Sequence, residues 1–532
     1  MKRFFTFLIF AALGISSFSQ PVQRPKLMVG IVIDQMRWDY LYRYYERYDN
    51  NGGFKRLLNE GFSCENTFIN HLPSYTAVGH ATIFTGAVPA IHGIAGNSWL
   101  DQASGQKMYC TDDSTVQPVG SNSNAGKMSP VNLLATTIAD ELRLATNFQS
   151  KVIGVSLKDR ASILPAGHNP TGAFWFDNTT NSFITSTWYM NELPQWVKDF
   201  NVRGEPARLT ATPWVTLYPI DTYKQSTEDN VPWEGKSKNA AAPAFPHKTD
   251  IRTSPYGNTL ILDFAKAAIE GNQLGIGTVT DFLAINCAST DYVGHKYGPN
   301  SIEVEDVYLR LDRDLGSFFR FLDQKIGKGN YTVFLTADHG AAHAVYFMKE
   351  HKLPADLLPN SKIVTELNEV LKQQFGESDL VLSGINYQIS FDNKKINRLK
   401  LDYQAIKALS LKYLKESPFL QFVVDVETIG VEPVPEAIKT RIVNGYNAKR
   451  SGPIQMIPFP GWLEGERTTG TSHATWSPHD THIPLIWMGW GIKRGKNTRE
   501  VYQTDIAPTV AALLRIQMPN GCVGKAISEV IE

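Results

Sequence analysis

Cysteine, net charge and long apolar runs are all scarce in this 532-residue chain. The four cysteines, Cys64, Cys110, Cys287 and Cys522, show no CxxC spacing, which disfavours a thiolate metal knuckle or a dithiol redox motif. In an oxidising compartment they allow three full pairings; buried, unpaired thiols acting as small hydrophobes are the alternative. Net charge is absent because 52 Lys and Arg balance 52 Asp and Glu, so no overall field favours nucleic acid or an anionic membrane as partner. There is no internal repeat, low-complexity tract or long charge run. The longest apolar stretch runs from Phe4 to Ile15, twelve residues against roughly 20 for a spanning helix, so no stable membrane insertion is expected.

That stretch follows Lys2 and Arg3 and precedes the small residues Ser17 and Ser19, the layout of an export signal over residues 1–20 with cleavage near Ser19. No Cys follows it to take a lipid anchor. The expected product is periplasmic or secreted, spanning 21–532. What remains is rich in apolar surface: 42% hydrophobic residues, with 27 Phe, 21 Tyr and 11 Trp, exclude a largely disordered chain.

Short, almost continuous apolar runs at 26–33, 151–157, 281–287 and 331–336 read as strands buried on both faces. Helix-like spacing at 77–85, 131–144, 257–269 and 302–326 separates them, and a further strand at 482–488 precedes a helix at 505–514. The expected fold class is α/β, a central, mostly parallel sheet flanked by helices, with two insertions. Residues 170–253, rich in Trp, Pro, Asn and Thr without periodicity, read as a loop-rich insertion that walls or caps a site. Residues 345–470 read as an α+β insertion, with helical pieces at 363–375 and 403–415 around alternating stretches such as 386–391.

Ligands of such sheets bind beyond the carboxyl ends of the strands, and polar residues accumulate there: Asp34, Asp291 with His295, and Asp338 with His339, joined by His482 before the last strand. Any one of these Asp residues is equally a turn former or helix cap. Together they supply three carboxylates and three imidazoles, the donors of zinc or manganese, and enough for two three-ligand sites that each keep a position open. His473 and His479 compete with His482, which is preferred because the strand it precedes fixes its direction. His80 and His92 read as supporting or packing residues.

Residues 71–93 (HLPSYTAVGHATIFTGAVPAIHG) lead through Pro73 and Ser74 into a helix with Thr76 in its first turn, where free N–H groups favour an alkoxide and an anionic substrate. In isolation this segment is an ordinary cap; beside two metals it holds a hydroxyl that a divalent ion activates.

With these motifs the sequence resembles the alkaline phosphatase superfamily, most closely its bacterial periplasmic zinc-dependent phosphate-monoesterase branch, over roughly 26–170, 255–345 and from about 470. The resemblance implies a phosphomonoesterase with two zinc ions and a covalent phosphothreonine intermediate on Thr76. Asp34, Asp338 and His339 would hold the zinc that activates Thr76, and Asp291, His295 and His482 the one that activates water. Asn97 in HGIAGN and Lys158 and Arg160 in SLKDR match the family's contacts to phosphate oxygens. Ligand types alone leave manganese open; the resemblance favours zinc.

The charges agree with this assignment. Two divalent ions cancel three Asp and an ionised Thr76, so Lys158 and Arg160 are left to balance a dianionic monoester and reward its unesterified oxygens. A small-molecule phosphate monoester is therefore the expected partner, with the protein expected as a monomer. A phosphodiesterase or nucleotide pyrophosphatase of the same superfamily is the nearest alternative. Export disfavours a phosphoglycerate mutase. A sulfatase would need a Cys or Ser in a C-x-P-x-R-like segment, and residues 71–85 lack that Cys and a suitably spaced Arg. A non-catalytic exported metal- and ligand-binding protein would not depend on Thr76.

Overall fold

The computed structural model describes residues 23–237, 240–465 and 468–532. The expected export signal over 1–20 lies outside these. The main sheet contains, in chain order, β1 (Leu27–Ile33), β2 (Phe62–Phe68), β3 (Pro118–Val119), β4 (Val152–Ser156), β5 (Gly172–Asp177), β6 (Ser182–Ser186), β7 (Asp281–Cys287), β8 (Tyr331–Thr336), β9 (His482–Ile483), β10 (Leu485–Gly489) and β11 (Gly495–Tyr502). Five central strands run parallel in the order β5-β4-β7-β1-β8. Antiparallel β6 and β3 extend one side; antiparallel β10 leads to β2 on the other, where β9 pairs antiparallel and β11 parallel.

Why the central strands are apolar throughout is visible in their alternation. Leu27, Val29, Ile31 and Ile33 enter the core on one face with Leu283, Ile285, Val333 and Leu335; Met28 and Val32 enter the opposite core with Phe282, Ala284 and Phe334. Gly30 belongs to the second face, and a Cβ there would stand 2.5 Å from the Phe334 ring. The relevant helices are α1 (Thr76–Thr85), α2 (Ile138–Ala145), α3 (Asp159–Ala166), α4 (Tyr256–Asn272), α5 (Ser289–Tyr297), α6 (Ile302–Leu322) and α7 (Ile506–Leu514). Helices α4 and α6 cover the first face, and α1, α2 and α7 the second.

Several boundaries differ from those expected. The helix anticipated over 131–144 begins only at Ile138, where Thr137 and Asp140 close a capping box; Val131 before it is exposed. The strand over 482–488 is divided at Pro484 into β9 and β10, proline having no N–H to give a sheet. The region 170–253 is not loop throughout, since β5 and β6 at its start join the main sheet. Mixed-polarity β2 and the largely exposed β11 lacked the continuous apolar run by which a strand was recognised.

Within 345–470, strands Val381–Ser383, Gln388–Phe391, Ile454–Pro458 and Leu420–Asp425 form a four-stranded sheet. It shares a separate core with helices Asn360–Phe375 and Tyr403–Lys415. All four cysteines are free, and burial pushes the Cys64 and Cys110 thiols up to about 12. No helix among the described residues is long and apolar enough to cross a membrane.

Candidate active site

The carboxyl ends of β1, β4, β7 and β8 deliver most of the site. Asp34 directly follows β1, Lys158 lies two residues beyond β4, Asp291 is in the first turn of α5 after β7, and Asp338 and His339 follow β8. Two groups of potential ligand atoms result, each with its atoms within 4.8 Å of one another: Asp34, Asp338 and His339, and Asp291, His295 and His473. The groups adjoin. His339 and His473 stack with ring centroids 3.5 Å apart, and Lys158 Nζ donates to Asp34 Oδ2 at 2.8 Å and Asp291 Oδ2 at 2.7 Å.

Each of the three imidazoles is oriented by a backbone carbonyl. His339 Nδ1 lies 2.9 Å from Gly340 O, His295 Nδ1 2.8 Å from Thr471 O, and His473 Nδ1 2.7 Å from Ser74 O. A neutral ring donating from Nδ1 to its carbonyl keeps the Nε2 lone pair for a cation, as for His339 and His473; for His295 burial opposes the charged form, but Asp291, 3.1 Å from its Nε2, raises its pKa above the ordinary value. Burial lowers the pKa of His473 well below the ordinary value, with His339 and His295 adding to the shift, and burial also lowers His339. Both favour neutral rings.

The carboxylates fit a cation for a further reason. Asp34 and Asp338 are fully buried, and Asp34 Oδ1 and Asp338 Oδ2 have no hydrogen-bond partner. Buried acceptors without donors are costly, and two such carboxylates side by side are costlier. Burial and the neighbouring Asp34 carboxylate raise Asp338 well above the usual range. Asp291 moves the other way: burial would raise it, but His295 and Lys158 hold it well below. A divalent ion would satisfy the orphaned oxygens, and the oxygen and nitrogen donors suit zinc or manganese.

Thr76 is the first residue of α1, and its Oγ1 lies 3.4 Å from His339 Nε2. The approach depends on Gly79 one turn later, where a Cβ would stand 2.3 Å from the Asp338 carbonyl oxygen, so the helix lies directly against the ligand-bearing backbone. Asn97 Oδ1 accepts from the Ala77 N–H at 2.9 Å, occupying one of the free N–H groups of the first turn. Arg160 Nη1 donates to the Tyr109 hydroxyl at 3.1 Å, which donates to Asp159 Oδ1 at 2.8 Å, while Thr111 donates to Asp159 Oδ2. Arg160 is thus held by a chain of hydrogen bonds.

His482 is not brought to the site. Its Nε2 lies 2.8 Å from Glu65 O, and its ring is stacked between Trp38 (4.7 Å) and Phe68 (4.6 Å). It stands at the correct end of the sheet, but β9 pairs with β2, laterally displaced from β1 and β8. His473, in the loop before β9, is the third member beside Asp291 and His295. His479 instead lies beside Asp480, 3.7 Å away.

Gln35 was not anticipated: its N–H donates to Asp338 Oδ1 at 3.2 Å and its Nε2 to Asp291 Oδ1 at 2.7 Å, tying the two groups together. Its adjacency to Asp34 was the available signal. His80 supports Thr76 from behind, with Nδ1 2.9 Å from the Thr76 carbonyl oxygen, and burial lowers its pKa to about 4.

Residues 28–482 match the family described as type I phosphodiesterase / nucleotide pyrophosphatase. The chain belongs to this family of the alkaline phosphatase superfamily. It is 56% identical to alkaline phosphatase PafA of Elizabethkingia meningoseptica over 521 residues, covering 96% of this chain and 95% of the relative. It is also 51% identical to a protein of Myroides odoratus named calcium-transporting ATPase, covering 100% of this chain and 98% of the relative.

A crystal structure of wild-type PafA superposes with a TM-score of 0.94 at 55% identity, covering 96% of this chain and 100% of that one. The same score and coverage hold for a PafA variant carrying a threonine-to-serine replacement and alanine at one asparagine, one lysine and one arginine. The α/β architecture with its large central sheet is that of PafA. Family membership and the two ligand groups together make the site one suited to metal-dependent chemistry.

Proposed function

We propose that the chain is an exported phosphomonoesterase that transfers a phosphoryl group to Thr76 and then to water. The observation carrying this reading is the Thr76 hydroxyl at a helix N-terminus, 3.4 Å from His339 Nε2, which itself lies 3.6 Å from Asp34 Oδ1 and 3.4 Å from Asp338 Oδ2, two buried carboxylate oxygens without hydrogen-bond partners. The names and near full-length similarity of the PafA relative support the activity. The residue types replaced in the PafA variant, a threonine, an asparagine, a lysine and an arginine, occur in the same chain order here as Thr76, Asn97, Lys158 and Arg160, which supports the reading.

Asp34, Asp338 and His339 would hold one zinc ion and Asp291, His295 and His473 the other, supplying the charge that acidifies the Thr76 hydroxyl and water and stabilises the leaving oxygen. Thr76 Oγ1 loses its proton and forms a bond to phosphorus as the ester P–O bond breaks, and the released alkoxide leaves as the alcohol after protonation. Water then attacks the phosphothreonine, the Thr76 Oγ–P bond breaks, and inorganic phosphate leaves. His473 and His295, fixed through Nδ1, keep the second ligand set rigid while the first turn of α1 faces the developing negative charge.

Lys158 and Arg160 favour a dianionic monoester over a monoanionic diester by charge-assisted hydrogen bonding to the nonbridging oxygens. Lys158 also offsets Asp34 and Asp291. Hydrolysis of ATP, the activity in the name of the Myroides odoratus relative, is the same in-line displacement at the terminal phosphorus with ADP as the leaving group and does not require a different site.

The test compares mono- and bis(p-nitrophenyl) phosphate. The metal-loaded enzyme should turn over the monoester faster, lose that turnover on chelation and regain it with zinc; faster turnover of the diester would assign the chain to phosphodiesterases instead. Arg160→Ala should lower monoester kcat/KM by roughly 10- to 100-fold and diester turnover less. Equal losses would remove its proposed role in reading the unesterified oxygens.

A further inference from the structure

His71 and His92 are completely buried, yet neither belongs to a ligand group. They meet at the hydroxyl of Thr82 on α1, which is also completely buried: Thr82 Oγ1 lies 3.2 Å from His71 Nε2 and 3.2 Å from His92 Nε2. His71 Nε2 lies in addition 3.3 Å from Gln503 Oε1, and Gln503 Nε2 donates to the carbonyl oxygens of Ala337 and Asp338, each at 3.1 Å.

The neighbouring groups assign the hydrogens. The Ile94 N–H donates to His92 Nδ1 at 3.1 Å, so a neutral His92 carries its proton on Nε2 and gives it to Thr82 Oγ1. The Gln503 amide nitrogen has a carbonyl for each of its hydrogens, so its Oε1 accepts from His71 Nε2, which shares its proton between that oxygen and Thr82 Oγ1. His71 Nδ1 has no partner, as fits a proton on Nε2. Burial keeps both rings neutral, lowering His71 to about 4 and His92 well below the ordinary value.

These bonds join the elements that surround the reacting hydroxyl. His71 precedes Thr76 and Thr82 follows it, so the nucleophile is held from both sides along the chain. His92 ends the short helix Pro89–His92, and the chain runs on through Ile94 to Asn97, whose Oδ1 accepts from the Ala77 N–H. The Asp338 carbonyl oxygen that accepts from Gln503 is the one against which Gly79 packs. Displacing any of these elements would strand a buried donor or acceptor, which costs more than the bond itself contributes.

Building on the phosphomonoesterase reading, we propose that Thr82, His71, His92 and Gln503 form a positioning network that sets where Thr76 and Asn97 stand relative to the strand end bearing Asp338 and His339. All four are completely buried and act through the elements that meet the substrate.

The experiment measures kcat and KM of the metal-loaded enzyme for p-nitrophenyl phosphate, together with zinc content and thermal unfolding of the same preparations. Thr82→Val keeps the shape of the side chain and removes the acceptor of His92; kcat should fall about tenfold with KM within about twofold of wild type and both ions retained. Thr82→Ser, which restores the oxygen, should stay within about threefold of wild type. Gln503→Met, which keeps the volume but none of the bonds to Ala337, Asp338 and His71, should lower kcat in the same way, and it carries the test if the valine protein does not fold. A valine variant with kcat within about twofold of wild type, a serine variant as slow as the valine one, a loss carried by KM, or loss of an ion overturns the network's role while leaving the phosphomonoesterase reading intact. A wild-type protein that turns over no monoester would overturn that reading itself, and the network's role with it.

Discussion

Replacing Thr76 by alanine is expected to lower monoester turnover by roughly three orders of magnitude or more while metal content stays at its wild-type level. The oxygen removed is the nucleophile, and nothing nearby replaces it: the adjoining Ser74 hydroxyl is buried and donates to the Thr475 carbonyl oxygen at 3.2 Å. The substitution removes no member of either ligand group. Thr76 is 1% exposed at the first position of α1, where alanine suits the helix. Thr76→Ser, which keeps the hydroxyl, should recover much of the rate. Steady-state kinetics with elemental analysis of the same preparations checks this. An alanine variant with normal turnover would remove Thr76 from the mechanism and favour a water nucleophile or a non-catalytic role.

His473→Ala and His482→Ala should separate cleanly, although the two histidines lie nine positions apart in the chain. Loss of His473 removes one of three donors from its group, and affinity for the corresponding ion should fall by about 100-fold or more, with turnover falling alongside. Loss of His482 removes a ring stacked between Trp38 and Phe68, costing about 1–2 kcal/mol of stability with both ions retained. Metal content measured after dialysis, with thermal unfolding of both variants, distinguishes them. An His482→Ala protein that loses an ion while its His473→Ala counterpart keeps both would reverse the assignment.

The contrast between these histidines shows where reading residues in order reaches its limit. A histidine before a buried strand was expected at the sheet's functional end, and His482 does stand there. Lateral position was missing. Which neighbour a strand chooses follows from pairing between segments hundreds of residues apart, here His482 with Phe68, and nothing local to 473–488 encodes it. The loop carrying His473 has no periodicity to direct attention to it; its Nδ1 contact with Ser74 exists only because the chain returns across the site. Gln35 was overlooked for a related reason, since it acts by bridging, through its backbone N–H to Asp338 and its side chain to Asp291, two segments that follow other strands.

The insertions were legible unevenly. In the second, the helix beginning at Tyr403 announced itself through apolar spacing, and it starts where a local N-cap, Asp402, accepts backbone N–H groups. Strands β5 and β6 were absorbed into a stretch read as loop because the following Trp- and Pro-rich segment obscured the short alternation at 172–186.

Local order along the chain was sufficient to determine the parallel α/β frame: strands buried on both faces need apolar residues at every position, and that demand leaves a mark in consecutive residues. It also directed attention to Asp34, Asp338 and His339 just beyond strand ends, to Asp291 and Thr76 in the first turns of helices and to His295 one turn after Asp291, all of which the fold brings into or beside the two ligand groups. Tertiary structure alone decided that His473 joins them and that His71, His92 and Gln503 meet around Thr82. Both depend on which distant segments touch, a property of long-range packing that has no local pattern.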